Sequence, residues 1–155
     1  MNLSRSDVRS VLKSKAYKIT DQIVVSLVGV NQVLASMVIP DLAPGAVLEI
    51  ETQWSMTNSA NQKLMKLQLN GQDFMDLPQT TAAGFHGTST VVIRSLTSQI
   101  ATNKSTSVPF GTTSSSGPTS LNADLAAGAT LSFVGNRANG ADALALEFAI
   151  VRVSQ

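Results

Sequence analysis

Residues 47–71 read VLEIETQWSMTNSANQKLMKLQLNG, and the way this stretch divides decides the fold. In its first ten residues Leu48, Ile50, Thr52, Trp54 and Met56 fall on one side, and Glu49, Glu51, Gln53 and Ser55 on the other. A period of two with one apolar side marks a strand with one face buried and one face wet. The last part alternates again, with Met65, Leu67 and Leu69 opposing Leu64, Lys66 and Gln68, and it stops at Asn70-Gly71. That dipeptide is the strongest short-range hairpin signal. A two-residue turn there sets Gln68 opposite Asp73 and Leu67 opposite Phe74 on a returning strand, 72–77. Between the two alternating runs, Asn58, Asn61 and Lys63 form a polar lip whose amides and lysine are candidates to hold the turn or to touch a neighbour.

The same period continues outward. Val33, Ala35, Met37 and Ile39 share a face in 32–39, and PDLAPGA (40–46) is a Pro- and Gly-rich turn. STVVIRSLTSQI (89–100), TLSFV (130–134) and ALALEFAIVRV (143–153) complete the set. In the last, Leu144, Leu146, Phe148 and Ile150 are expected on one face, with Ala145, Glu147 and Ala149 on the other. The centre of 107–129, TTSSSGPTS, has nothing to bury and reads as loop. SRSDVRSVLKSKA (4–16) is the one helix candidate: Ser4 as cap, Asp7 in the first turn, and Val8, Val11 and Leu12 at helical spacing. The expectation is an all-β protein, an antiparallel jelly-roll-like sandwich over 21–155 preceded by a basic arm with a short helix over 1–20. An immunoglobulin-like sandwich is the runner-up; there is no Cys pair to support it.

Composition bounds the function. At 155 residues the chain fits one domain, and only 14% of it is charged against about 25% in an average protein. A polar but weakly charged surface suits contact with other protein surfaces, because a desolvated hydroxyl or amide costs less than a desolvated charge. The overall charge of +1 gives no field that would gather nucleic acid. Its distribution is uneven: Arg5, Arg9, Lys13, Lys15 and Lys18 face only Asp7 in the first eighteen residues. These five basic residues are the candidate partner-binding arm. The apolar run 23–39 is interrupted by Asn31-Gln32 and alternates, and the leader before it is polar with no small-residue cleavage site. Neither a membrane span nor a signal peptide is expected.

No catalytic apparatus is legible. His86, the single histidine, sits between glycines in AAGFHGTST (82–90), a stretch that reads as loop, and there is no nucleophile elbow to pair with it. A loop histidine contacting backbone or a partner is the expectation, with a hydrolase as the outlying reading. One His and no Cys exclude the common zinc sets. Glu49 and Glu51 stand roughly 6.5–7 Å apart along their strand, a spacing a glycosidase pair could use, but acids on the wet face of a strand are usually only that. Asp73 and Asp76 lack calcium-loop spacing. Phosphate-cradling glycine motifs are absent, and Lys63 and Lys66 have no aromatic between them for stacking on single-stranded nucleic acid. No cofactor, metal, nucleic acid or membrane is expected.

Residues 45–153 resemble small jelly-roll structural proteins of tailed bacteriophages. The resemblance rests on a strand ending in an aromatic (Leu48 to Trp54), an Asn-rich turn with Asn58 and Ala60-Asn61-Gln62-Lys63, and a strand closing at Gly71. A long strand with Arg94 and a late Gln99, then Phe110-Gly111 before a Ser/Thr-rich loop and an apolar final strand, complete it. It implies a non-enzymatic virion component, such as a capsid decoration (cement) protein, head fibre, collar part or tail-fibre module, commonly a trimer. The expected partners are the chain's own subunits and a major capsid protein or other virion protein. The expected place is the capsid exterior, after assembly in the host cytoplasm. A tail or head-fibre module that grips a host receptor or glycan is the alternative.

Overall fold

The computed structural model describes residues 14–102 and 118–155. Among these the chain forms eleven strands and no helix: β1 (Ser14–Ile19), β2 (Ile23–Val24), β3 (Gln32–Ile39), β4 (Val47–Met56), β5 (Lys63–Leu69), β6 (Gln72–Gln79), β7 (Gly84–Ser95), β8 (Ser98–Ala101), β9 (Thr119–Leu121), β10 (Ala129–Arg137) and β11 (Leu144–Ser154). They make two antiparallel sheets, consistent with a β-sandwich. The larger runs β1-β11-β4-β7-β8-β9, with β2 also on β11; the smaller runs β3-β10-β5-β6. From β3 to β5 the chain changes sheet at each step, and it changes again from β6 to β7, from β9 to β10 and from β10 to β11.

The core lies between the sheets and follows the alternation of β4. Leu48, Ile50 and Trp54 are fully buried, with Thr52 and Met56 nearly so, while Glu49 is exposed. Met65, Leu67 and Leu69 of β5 and Leu131 and Phe133 of β10 close over them from the other sheet. The hairpin at Asn70-Gly71 forms as expected, both residues having positive φ (45° and 80°), as a type I′ turn requires. Asn70 does more than turn. Its Oδ1 accepts from Thr130 N at 2.6 Å and its Nδ2 donates to Asp124 O at 2.6 Å, tying the hairpin tip to the turn before β10.

Three bulges change which faces meet. Gln68 pairs with Asp73 as expected, but a shift in register places Met75, not Phe74, opposite Leu67. Phe74 and Met75 are consecutive and both are buried. A shift at Phe133/Val134 leaves Leu34 as the extra residue of β3, so Val33 turns out to solvent while Ala35, Met37 and Ile39 keep the inner face. A third shift, at Glu147, sends Phe148 and Ile150 to the outer face; Leu144, Leu146, Ala149, Val151 and Val153 face the core instead. Each bulge adds one residue to one strand and inverts every side chain beyond it.

Two further expectations are corrected. The helix over 4–16 does not extend to its end: residues 14–16 open β1, and residues 4–13 lie outside the described residues. Alternation wins here because β1 completes a six-residue ladder with β11, with Tyr17 and Ile19 packing on the core. Residues 14–19 therefore belong to the sandwich, not to a separate arm ending at 20. His86 is not in a loop but within β7, paired with Gln53 of β4. The 89–100 stretch is likewise not one strand; it folds back at 96–97 into the β7–β8 hairpin.

Candidate functional site

The sequence-predicted residues do not converge on one place. Arg5, Arg9 and Lys13 lie outside the described residues. Lys15 and Lys18 are exposed on β1, with Lys18 opposite Ile150 on the outer face of the large sheet. Asn58 is exposed in the turn after β4, and Asn61, half-buried, donates its backbone N–H to Ser59 Oγ at 3.3 Å.

Lys63 was expected at the mouth of its strand, either holding the turn or touching a neighbour, and it holds the turn. It does so fully buried. The alternation that puts Met65 and Leu67 inside also turns Lys63 inward, and the ammonium is satisfied locally: Nζ donates to Ser59 Oγ at 2.9 Å and to Ser59 O at 3.2 Å. The lysine is thus a latch that closes the 57–62 turn over the end of the core. Its aliphatic stem packs while its head is hydrogen-bonded, and it is not available to a partner.

The outer face of the large sheet carries the most organised surface group. Glu51 of β4 accepts from Arg152 Nη1 at 3.0 Å on one oxygen, and its other oxygen lies 3.2 Å from His86 Nε2. The three come together because β4 lies between β11 and β7, so outward residues of adjacent strands stand side by side. The Arg152 hydrogen bond, then that of His86, holds the Glu51 carboxyl below its ordinary value. Phe148, brought outward by the bulge, sits beside this row with its ring 6.3 Å from the His86 ring and tilted 53° to it. Glu147, the extra residue of that bulge, hydrogen-bonds Ser55 and accepts from Gln22 Nε2 at 2.8 Å; these bonds, Ser55 first, also lower its carboxyl.

Chemically this row is a carboxylate shared by a guanidinium and an imidazole. His86 is held against a carboxylate, and its side chain is 54% exposed, so no low-dielectric site surrounds it. Among the described residues, no group of three or more His, Cys, Asp or Glu could hold a metal ion. A depression of about 300 Å³ lies where Pro40, Leu42, Leu96 and Leu125 meet; Asp41 is its one titratable side chain, short of the convergent polar groups a ligand site uses. No helix among the described residues is long and apolar enough to cross a membrane.

Sequence reasoning missed the row because it depends on an unforeseen bulge and on strand order. A surface Glu, His and Arg spread over a hundred residues give no local signal. Comparison with protein-family models and with curated protein sequences finds no match.

Proposed function

We propose that this chain is a non-enzymatic virion structural protein, a jelly-roll module that decorates and stabilises the capsid shell of a tailed bacteriophage as a homotrimer. The observation that carries this reading is the wiring of the sheets. β1-β11-β4-β7 faces β3-β10-β5-β6, which is the order produced when an eight-stranded antiparallel ribbon is rolled up as two interlocked Greek keys. β8 and β9 extend the first sheet beyond β7. This agrees with the resemblance of residues 45–153 to phage jelly-roll proteins. A surface with few charges, whose ion pairs among the described residues are those of Lys66 with Asp73 and Asp76 and of Glu51 with Arg152 and His86, suits a part that works by being bound.

In this reading Arg5, Arg9, Lys13, Lys15 and Lys18 dock the subunit on the shell. Deleting residues 1–18 would remove β1 with the basic group, so the arm is tested by Arg5→Glu/Arg9→Glu/Lys13→Glu, which leaves the β1 ladder in place. The variant is expected to fold as wild type and to lose binding to purified shells. A variant that still saturates them removes the arm from the reading. Electron cryomicroscopy of particles bearing the protein tests the position itself, with density expected on the outer capsid surface; particles without the protein anywhere overturn the proposal.

The rival reading is a tail or head-fibre module that binds a host glycan. Its specific support is the outer-face row, where Phe148 lies beside His86 and the polar Gln53 and Glu51. Trp54, the other aromatic of that strand pair, is fully buried and contributes nothing to it. A glycan-array signal abolished by Phe148→Ala, with density on a fibre, would favour this rival.

A further inference from the structure

The dipeptide Asn-Gly occurs twice in the chain, at 70–71 and at 139–140. It is the pair of residues most prone to cyclise. A glycine has no side chain in the way, so its backbone nitrogen can reach the carbonyl carbon of the asparagine side chain before it. The fold treats the two copies differently. Asn70 is half-buried and its carboxamide is tied at both ends: Oδ1 accepts from Thr130 N at 2.6 Å, and Nδ2 donates to Asp124 O at 2.6 Å and to Gly128 O at 3.3 Å. All three partners belong to the segment that leads into β10. The side chain is thus drawn away from the Gly71 nitrogen, and turning back to it would break two short hydrogen bonds.

Asn139 and Gly140 are both exposed, in the connection between β10 and β11. Asn139 Oδ1 accepts from the backbone N–H of Ala141 at 2.9 Å. This is the Asx-turn arrangement, in which the carboxamide folds back over the peptide that follows it. The side-chain carbon is thereby carried toward the Gly140 nitrogen rather than away from it. Among the described residues, neither Asn139 Nδ2 nor the Gly140 N–H donates to an acceptor. The attacking nitrogen and the leaving amide are therefore both open to water. The Ala141 N–H also points at the oxygen on which negative charge gathers when the carbon is attacked, and so stabilises that state.

We infer that Asn139 is a site of spontaneous covalent modification, cyclising with Gly140 and losing its amide as ammonia, while the fold protects Asn70. Hydroxide takes the proton of the Gly140 N–H, and the nitrogen attacks Cγ of Asn139. The Cγ–Nδ2 bond breaks, ammonia leaves with a proton from water, and a five-membered succinimide is closed. Water then opens the ring. Attack at Cγ leaves an aspartyl residue; attack at the main-chain carbonyl leaves an isoaspartyl residue, whose chain runs through the former side chain. Water is consumed and ammonia released, with no oxidant or reductant. The consequence falls on Arg137. Its Nη1 donates to Asp142 O at 2.6 Å, and Asp142 N donates to Asn139 O at 3.2 Å. An isoaspartyl link inserts an extra backbone carbon between these anchors and displaces the Asn139 carbonyl, so the loop that holds the guanidinium is loosened. The inference is independent of the capsid reading.

The test incubates the folded full chain at mildly alkaline pH and maps it by peptide mass spectrometry. Trypsin releases Asn139 in the peptide 138–152 and Asn70 in the peptide 67–94. Replacement of the amide by an acid, with isoaspartate labelled by an isoaspartyl methyltransferase, is expected in 138–152 and not in 67–94. In urea both peptides should convert, since the bonds that hold Asn70 are then gone. Gly140→Ala is the decisive variant. A Cβ at Gly140 would meet Val28 Cγ2 at 3.6 Å, an ordinary contact, so the variant should fold as wild type while its methyl group shields the attacking nitrogen. It should slow conversion about tenfold or more, roughly 1.4 kcal/mol on the barrier. Converted protein, separated by ion exchange on its added negative charge, should be cut by trypsin after Arg137 in the native state faster than unconverted protein. An Asn139 that stays intact in the folded chain overturns the inference. So does equal conversion of Asn70 and Asn139, or an undiminished rate in Gly140→Ala. Equal cutting of the two forms after Arg137 overturns the effect assigned to the loop.

Discussion

The two edges of the small sheet are built in opposite ways. β6 is guarded: Asp73 and Asp76 project from it, Pro78 removes a backbone donor, and Lys66 of β5 lies between the two acids at 2.7 and 3.1 Å. Such charges and prolines keep an edge from pairing with another chain. β3 carries no charge and no proline, and it exposes Val33 and Val38. The two strands belong to one sheet and to one sequence of low charge, so the difference does not follow from composition. Protection has been placed on one edge of the sheet and withheld from the other.

Removing the guard should give the largest effect. Asp73→Val/Asp76→Val leaves the Lys66 ammonium, in a side chain only 12% exposed, without its acids. We expect a loss of about 1–3 kcal/mol in urea unfolding, less than for a fully buried pair because the acids are themselves 40% and 54% exposed. New association should appear by light scattering, because Pro78 alone then guards β6. Unchanged stability and scattering would show that the charges on β6 are ornamental.

The alkaline limb sharpens the same point. Hydrogen bonding to Asp73, reinforced by Asp76, raises the Lys66 ammonium above its ordinary value of 10.5. The stability this pairing contributes is therefore complete below about pH 10.5 and is lost as pH rises through the higher folded value. Thermal unfolding of wild type should fall above that pH more steeply than that of the double variant. On the acid side Glu51 behaves in the opposite sense. Its carboxyl is held below the ordinary value of 4.5 by Arg152 and His86, so its contribution is present above pH 4.5 and fades as pH drops through the folded value. Glu51→Gln should flatten that part of the melting curve slightly. The smallest effect is expected from guarding the bare edge: Val38→Lys, at an exposed position, should change stability by less than about 0.5 kcal/mol in urea unfolding.

Strand by strand, the sequence was readable wherever alternation ran unbroken. β4 and β5 were placed with the correct inner faces, and Asn70-Gly71 with the correct turn, because side-chain period and positive-φ residues are local facts. What failed was what bulges undo. At Leu34, Phe74 and Glu147 one inserted residue reverses inside and outside, and nothing in the neighbouring side chains announces it. His86 was misread for a related reason. Its flanking glycines look like loop residues, yet at Gly84 a Cβ would lie 2.8 Å from the Trp54 carbonyl oxygen, so the glycine serves close packing between strands. Lys63 was read as holding the turn or touching a neighbour, and it holds the turn; what the local sequence did not give is its burial, which the register of β5 imposes while Ser59 accepts the ammonium. The guarded and bare edges were both written in the sequence, but they became an asymmetry only once strand order made them two sides of one sheet.

The position of β11 bears on how the protein is made. It is the last of the described strands, yet it stands inside the large sheet between β1 and β4, with Ser154 opposite both Ser14 and Val47. During synthesis β1 and β4 have no common partner until Leu144–Ser154 leaves the ribosome. Closing the sheet requires contacts between the two ends of the sequence, the slowest kind to form. A nascent chain therefore waits with its β3 edge already uncharged and unprotected. Many such chains on one messenger would stand close together in that state, and completion of a single strand commits each of them to its finished shape.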